Sequence, residues 1–162
     1  MKISKLVFAL IGGAFIGGAN AADITVFYSP TCPHCHHARE FISSNLIYEY
    51  DNLKVSEVNV TNVDNRQAFV DALFKCGYQS GGVPVLVIGD MNTKDGFKCF
   101  QGYADSMQGD LRAAIEVDLD DAQKSAAAAN KASLENDRDA FVAAHADRKS
   151  AITEQEPQKK SK

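Results

Sequence analysis

Two of the chain's four cysteines, Cys32 and Cys35, are separated only by Pro33 and His34, directly after the strand-like run 24–28 and before a helix-like run. Thiols three positions apart at a helix start can close a small disulfide ring. The exposed N–H groups and positive dipole end of the helix favour a thiolate at the first sulfur. Cys32 is therefore the candidate nucleophile. Cys35, one turn in and expected to be more buried, would attack the mixed disulfide and release the partner. His34 adds an imidazole that, when protonated, stabilises the Cys32 thiolate further.

The same residues admit other chemistry. A C-x-x-C pair can be a structural disulfide or half a zinc site, although His36 and His37 are adjacent on one turn and diverge, so no metal set is expected. Cys32-Pro33-His34-Cys35-His36 also has the C-x-x-C-H form of c-type haem attachment, with His36 as proximal ligand and Met91 or Met107 as distal one. Against haem, the motif interrupts a strand-to-helix junction in a chain of alternating strands and helices.

Residues 1–22 have a basic start at Lys2 and Lys5, an apolar stretch over 6–16 and a small-residue end at Ala19-Asn20-Ala21, the form of a secretory signal peptide. The stretch is too short and glycine-rich to span a bilayer comfortably, so the mature chain is expected to be exported without an integral membrane segment. The formal net charge of −4 becomes −6 without Lys2 and Lys5, which argues against a nucleic-acid partner. Export permits disulfides, and four cysteines allow three pairings. If Cys32 pairs with Cys35, then Cys76 and Cys99 are left to each other; a bridge between them would be worth about 3 kcal/mol by loop entropy and is expected to be structural, with a second redox pair as the alternative.

The pattern around the dithiol predicts a strand at 24–28 and a helix from 32 to about 43, with its end before Leu46-Ile47-Tyr48 undefined. A strand at 55–60 with clean apolar/polar alternation follows, then a helix over 66–76. Asp64 and Gln67 resemble a capping box for that helix, and Gly77 would close it. The apolar run 81–89 reads as a buried strand with Pro84 near its start, where proline is tolerated. A turn at 90–96, an edge strand at 97–101 and an amphipathic helix at 104–117 complete a region of roughly 95 residues, enough for one small core.

A dithiol after the first strand and a Val83-Pro84 pair leading into the third, in the order β-α-β-α-β-β-α, resemble the thioredoxin fold over residues 23–117. The resemblance implies an α/β domain with a four-stranded mixed sheet flanked by helices. It also implies a cis Pro84 facing the dithiol, and a Val83 backbone that pairs with an extended substrate strand. The Pro33-His34 dipeptide and Val83 resemble the DsbA-type periplasmic disulfide oxidases. Between Cys35 and Pro84, however, there is no room for their inserted helical domain. The chain length and the phrase Thr25-Val26-Phe27-Tyr28-Ser29-Pro30-Thr31-Cys32 look more like a glutaredoxin, which would hold glutathione along Val83-Pro84 and near Asp105.

The expectation is a periplasmic thiol-disulfide oxidoreductase with no resident cofactor, acting on cysteine-containing exported proteins and regenerated by a redox partner. A secreted glutaredoxin-like reductase with glutathione as co-substrate is the alternative, and a metal- or haem-binding protein a further one. The buried acid of thioredoxins has no clear counterpart, Asp23 lying too near the beginning of its strand.

Residues 118–162 are rich in alanine and mixed charge, with Leu119, Leu134, Phe141, Val142 and Ile152 as the only large apolar side chains. Such a segment cannot build a core alone. Helices are expected over 122–132 and 134–145, disorder over 154–162, and the whole as a frayed helical extension or a docking helix for a partner. His145 is expected to be exposed. Asn59-Val60-Thr61 matches a glycosylation sequon, and Tyr28 could border the dithiol.

Overall fold

The computed structural model describes residues 20–155. Nearly all of the expected leader, and residues 156–162 of the tail, lie outside the described residues.

Five strands form one mixed sheet in the order β4-β3-β1-β2-β5, where β1 is Ile24–Tyr28, β2 Val55–Asn59, β3 Val85–Gly89, β4 Phe97–Gln101 and β5 Ile152–Glu154. β1 and β2 run parallel, as do β2 and β5, while β3 is antiparallel to both β1 and β4. Alternation along β1 divides the core in two. Ile24, Val26 and Tyr28 join the larger cluster, and Phe27 joins a smaller one with Val58, Val85 and Val87.

Helix α1 (Pro33–Phe41) continues through a π-helical turn at Ile42–Leu46 into α2 (Ile47–Glu49). The end that the sequence left undefined is thus a register shift within one helical stretch, which buries Ile42 and Leu46 completely. Helix α3 (Arg66–Lys75) packs on the other face. Its approach is capped by Asn62, whose side chain accepts the Asp64 N–H at 3.1 Å, and Gln67 bonds Asp71. The expected Asp64/Gln67 capping box is therefore not formed. Gly77, at φ 74°, closes α3 with its N–H on the Phe74 carbonyl. Helix α4 (Gln108–Ile115) returns to the larger cluster, where Arg112 makes a bidentate pair with buried Glu49 at 2.7 Å.

The sheet has five strands rather than the expected four, and the fifth comes from the tail. β5 covers the edge of β2, whose backbone groups would otherwise stand unpaired. Nor is the tail a frayed extension. Helix α5 (Asp121–Asn136) starts with a capping box between Asp120 and Gln123, and α6 (Arg138–Ala144) follows it. Leu134 is 1% exposed within the larger cluster.

The tail also supplies donors to carbonyls that the helix termini and the π turn leave open. Arg138 bonds the Ser44 carbonyl at 2.6 Å, and Arg148 bonds those of Ile47 at 2.8 Å and Tyr50 at 2.5 Å. The segment lacks a core of its own and completes that of its neighbour. Among the described residues no helix is long and apolar enough to cross a membrane.

Candidate redox site

The sheet registers collect four loops at one edge. β1 and β2 are parallel, so the loops after Tyr28 and Asn59 emerge together. β3 is antiparallel, so Val83-Pro84 leads into it from that same side, and β4 ends there opposite Val85. Cys32, Val83-Pro84 and the Asp105 turn meet there. The turn after β3, carrying Met91, lies at the opposite end, so the fold does not bring Met91 to His36.

Cys32 occupies the N-cap of α1 with extended backbone (φ −92°, ψ 116°), and Pro33 begins the first turn. The Cys32 N–H donates to the Ser29 carbonyl at 3.1 Å, so the loop hangs directly from the end of β1. The Cys35 N–H donates to Cys32 Sγ at 3.2 Å. A cap normally uses a side-chain oxygen for this purpose; here sulfur takes its place. Cys32 and Cys35 are joined as a disulfide with their Cα atoms 5.2 Å apart. Cys35 is 1% exposed in the larger cluster, whereas Cys32 is only half-buried at the surface. The accessible sulfur is thus also the one at the helix mouth.

The Val83–Pro84 peptide is cis. The Val83 carbonyl oxygen lies 3.4 Å from Cys32 Sγ, and the Gly102 N–H donates to the Pro84 carbonyl at 2.8 Å. His34 is exposed between the cysteines. His36 Nε2 donates to the Pro30 carbonyl at 2.8 Å, bracing the loop, and His37 is exposed. Asp105 accepts from Gln108 at 3.4 Å. His145 is half-buried rather than exposed, stacked on Phe141 at 4.1 Å between centroids. The sequon residues bond each other, Thr61 Oγ1 donating to Asn59 Oδ1 at 2.7 Å.

Cys76 and Cys99 form a second disulfide, with Cα atoms 5.8 Å apart. It joins the C-cap of α3 to the middle of β4, within the smaller apolar cluster.

The expected site residues do not include the polar cluster that joins α1 to β2. Glu57, 5% exposed on β2, receives both Nε and a terminal nitrogen of Arg39, at 2.8 and 2.6 Å. The Arg39 guanidinium lies 4.2 Å from the centroid of the Tyr28 ring, and the Tyr28 hydroxyl donates to Glu154 at 2.8 Å. Burial, followed by the bond to Glu154, pushes the Tyr28 phenol up to about 12. Hydrogen bonding to Glu57 raises Arg39 above its ordinary range.

Parity could have found Glu57. It shares a strand face with Val55, so the alternation of β2 is not clean, and an acid stands where an apolar residue would. Asp23 is exposed, and the buried acids of the described residues are Glu49 and Glu57, each paired with an arginine.

Residues 24–91 match the family model of glutaredoxin, and this stretch is a glutaredoxin/thioredoxin-like domain with a C-x-x-C pair at disulfide distance. No curated protein and no solved structure matches the chain.

Proposed function

We propose that this protein is an exported, periplasmic thiol-disulfide oxidoreductase whose substrates are cysteine-containing exported proteins. The observation that carries the reading is the Cys35 N–H held 3.2 Å from a half-exposed Cys32 Sγ at a helix mouth. A donor already aimed at that sulfur stabilises the thiolate without rearrangement. Export rests on the leader-like residues 1–22, and the direction of exchange on His34, whose protonated ring favours the thiolate.

As a reductant, the Cys32 thiolate attacks one sulfur of a partner disulfide, forming a mixed disulfide and releasing the partner's other sulfur as thiolate. Cys35 loses its proton to solvent and attacks Cys32 Sγ. The second partner sulfur leaves as thiolate, and the Cys32/Cys35 disulfide is restored. Oxidation of a partner dithiol is the same sequence run backwards. Val83, whose carbonyl lies 3.4 Å from Cys32 Sγ, would seat the partner chain in extended form.

The reduction potential tests the direction. Stabilised thiolates make a strong oxidant, so the expected value lies nearer the roughly −120 mV of DsbA than the roughly −270 mV of thioredoxin. A value at or below that of thioredoxin overturns the oxidase reading.

The family match over 24–91 favours one second reading, a reductase that takes electrons from glutathione. Asp105, on the turn after β4, would then lie against the tripeptide. Glutathione-dependent reduction of a mixed-disulfide substrate, weakened in Asp105→Ala, is its expected signature; no glutathione-dependent turnover excludes it.

A further inference from the structure

The redox helix and the C-terminal strand meet in one cluster of side chains. Tyr28 ends β1, four residues before Cys32, and the Cys32 N–H is bonded to the next carbonyl, that of Ser29, at 3.1 Å. Arg39 lies one turn beyond Cys35 on α1 and closes the base of this loop. Its guanidinium is confined between the Tyr28 ring, 4.2 Å away, and the Glu57 carboxylate at 2.6 to 2.8 Å. The Tyr28 ring is fixed from outside the loop, because its hydroxyl donates to Glu154 of β5 at 2.8 Å. β5 is anchored independently by its pairing with β2 and by the Gln155 N–H on the Glu57 carbonyl at 2.9 Å. Glu154 thus orients Tyr28, Tyr28 provides the plane on which Arg39 lies, and Arg39 holds the first two turns of α1 against β2.

We propose that the C-terminal strand is a working part of the redox site: Glu154 is a positioning residue that, through Tyr28 and Arg39, holds the helix whose Cys35 N–H faces Cys32 Sγ. This inference rests on the thiol-exchange reading above. Loosening the cluster lets α1 shift relative to Cys32, whose N–H is tied to Ser29 at the end of β1, and misaligns the Cys35 N–H at its sulfur. Thiolate is then less stabilised, whereas the disulfide, which carries no charge, is little affected. The equilibrium moves toward the disulfide, so an intact tail makes the protein a stronger oxidant.

The test equilibrates the full-length protein with defined ratios of reduced and oxidised glutathione, with the Cys32/Cys35 state read by alkylation and mass spectrometry. Tyr28→Phe, which keeps the ring, and Glu154→Ala are each expected to shift the constant by about threefold or more toward the disulfide, the scale of coupled contacts. The double variant should shift no further than either single one, because both remove the same bond. Glu154→Gln keeps an acceptor oxygen and should restore most of the wild-type constant.

Unchanged constants in both single variants overturn the proposal, whatever happens to their melting temperatures. So do additive shifts in the double variant, or a Glu154→Gln shift as large as that of Glu154→Ala. A wild-type protein whose Cys32/Cys35 pair never equilibrates with glutathione fails the exchange reading itself, which separates the two outcomes.

Discussion

The two disulfides join Cα atoms at similar separations, 5.2 and 5.8 Å, yet occupy opposite kinds of surroundings. Cys32/Cys35 spans three positions at a helix start, with one sulfur half-exposed and accepting a backbone N–H. Cys76/Cys99 spans 23 positions and ties the end of α3 to the middle of β4 among Phe69, Leu73, Tyr78 and Phe97. The first bridge constrains less chain entropy, about 2 kcal/mol against about 3 for the second, and has a backbone donor at one sulfur. The second closes a longer loop and lies within the smaller apolar cluster. Thiol chemistry is decided by what faces the sulfur and stability by what the bridge encloses, so the proposed function assigns exchange to the first bridge and stability to the second.

The sharpest way to break this comparison is to remove one sulfur at a time. Cys32→Ser should abolish disulfide exchange with a peptide substrate, and Cys35→Ser should trap a mixed disulfide on Cys32, visible by mass spectrometry. Retained turnover in Cys32→Ser would mean that the chemistry lies elsewhere. Replacing Cys76 and Cys99 together should leave the exchange rate near that of the wild type but lower unfolding stability by about 3 kcal/mol, measured with denaturant. Graded reduction before alkylation should open Cys32/Cys35 first; the reverse order would contradict the assignment of roles.

A pH dependence should belong to the redox side. Tyr28, held up to about 12, binds its proton more tightly folded than unfolded. Its contribution is fully present below about pH 10 and is lost as pH rises from 10 to 12. Across that window the wild type should lose stability relative to Tyr28→Phe; parallel curves would show that the phenol is not held as the structure has it. The smallest effect is expected beside Cys76. Gly77→Ala places a side chain at φ 74° and should cost about 1 to 2 kcal/mol while leaving exchange untouched.

The redox loop was legible because its information is local. Cys32, Pro33 and Cys35 lie within one turn, and Gly77 and Pro84 punctuate the chain by their own backbone limits. The bounds of β1 and β4 followed from period and turn residues, as both lie between clear breaks. The π turn was not legible, since Ile42, Leu46 and Ile47 continue a helical pattern without any breaker between them. Asn62 took the cap expected of Asp64 because a short 3₁₀ turn precedes the helix, and such a turn leaves little mark on periodicity. β5 has three residues and one apolar side chain, too few for any alternation to register.

By itself, the sequence determined a helix-mouth dithiol behind a short strand, a second pair of cysteines, and a tail too polar to fold alone. Each of these follows from interactions spanning a few residues, or from composition, which a linear pattern records. Only the tertiary structure decided that the tail docks, that its strand covers the edge of β2, and that Glu154 meets Tyr28 across 126 positions. Those contacts depend on open carbonyls and an unpaired strand edge, and such vacancies exist only after the rest of the chain has folded.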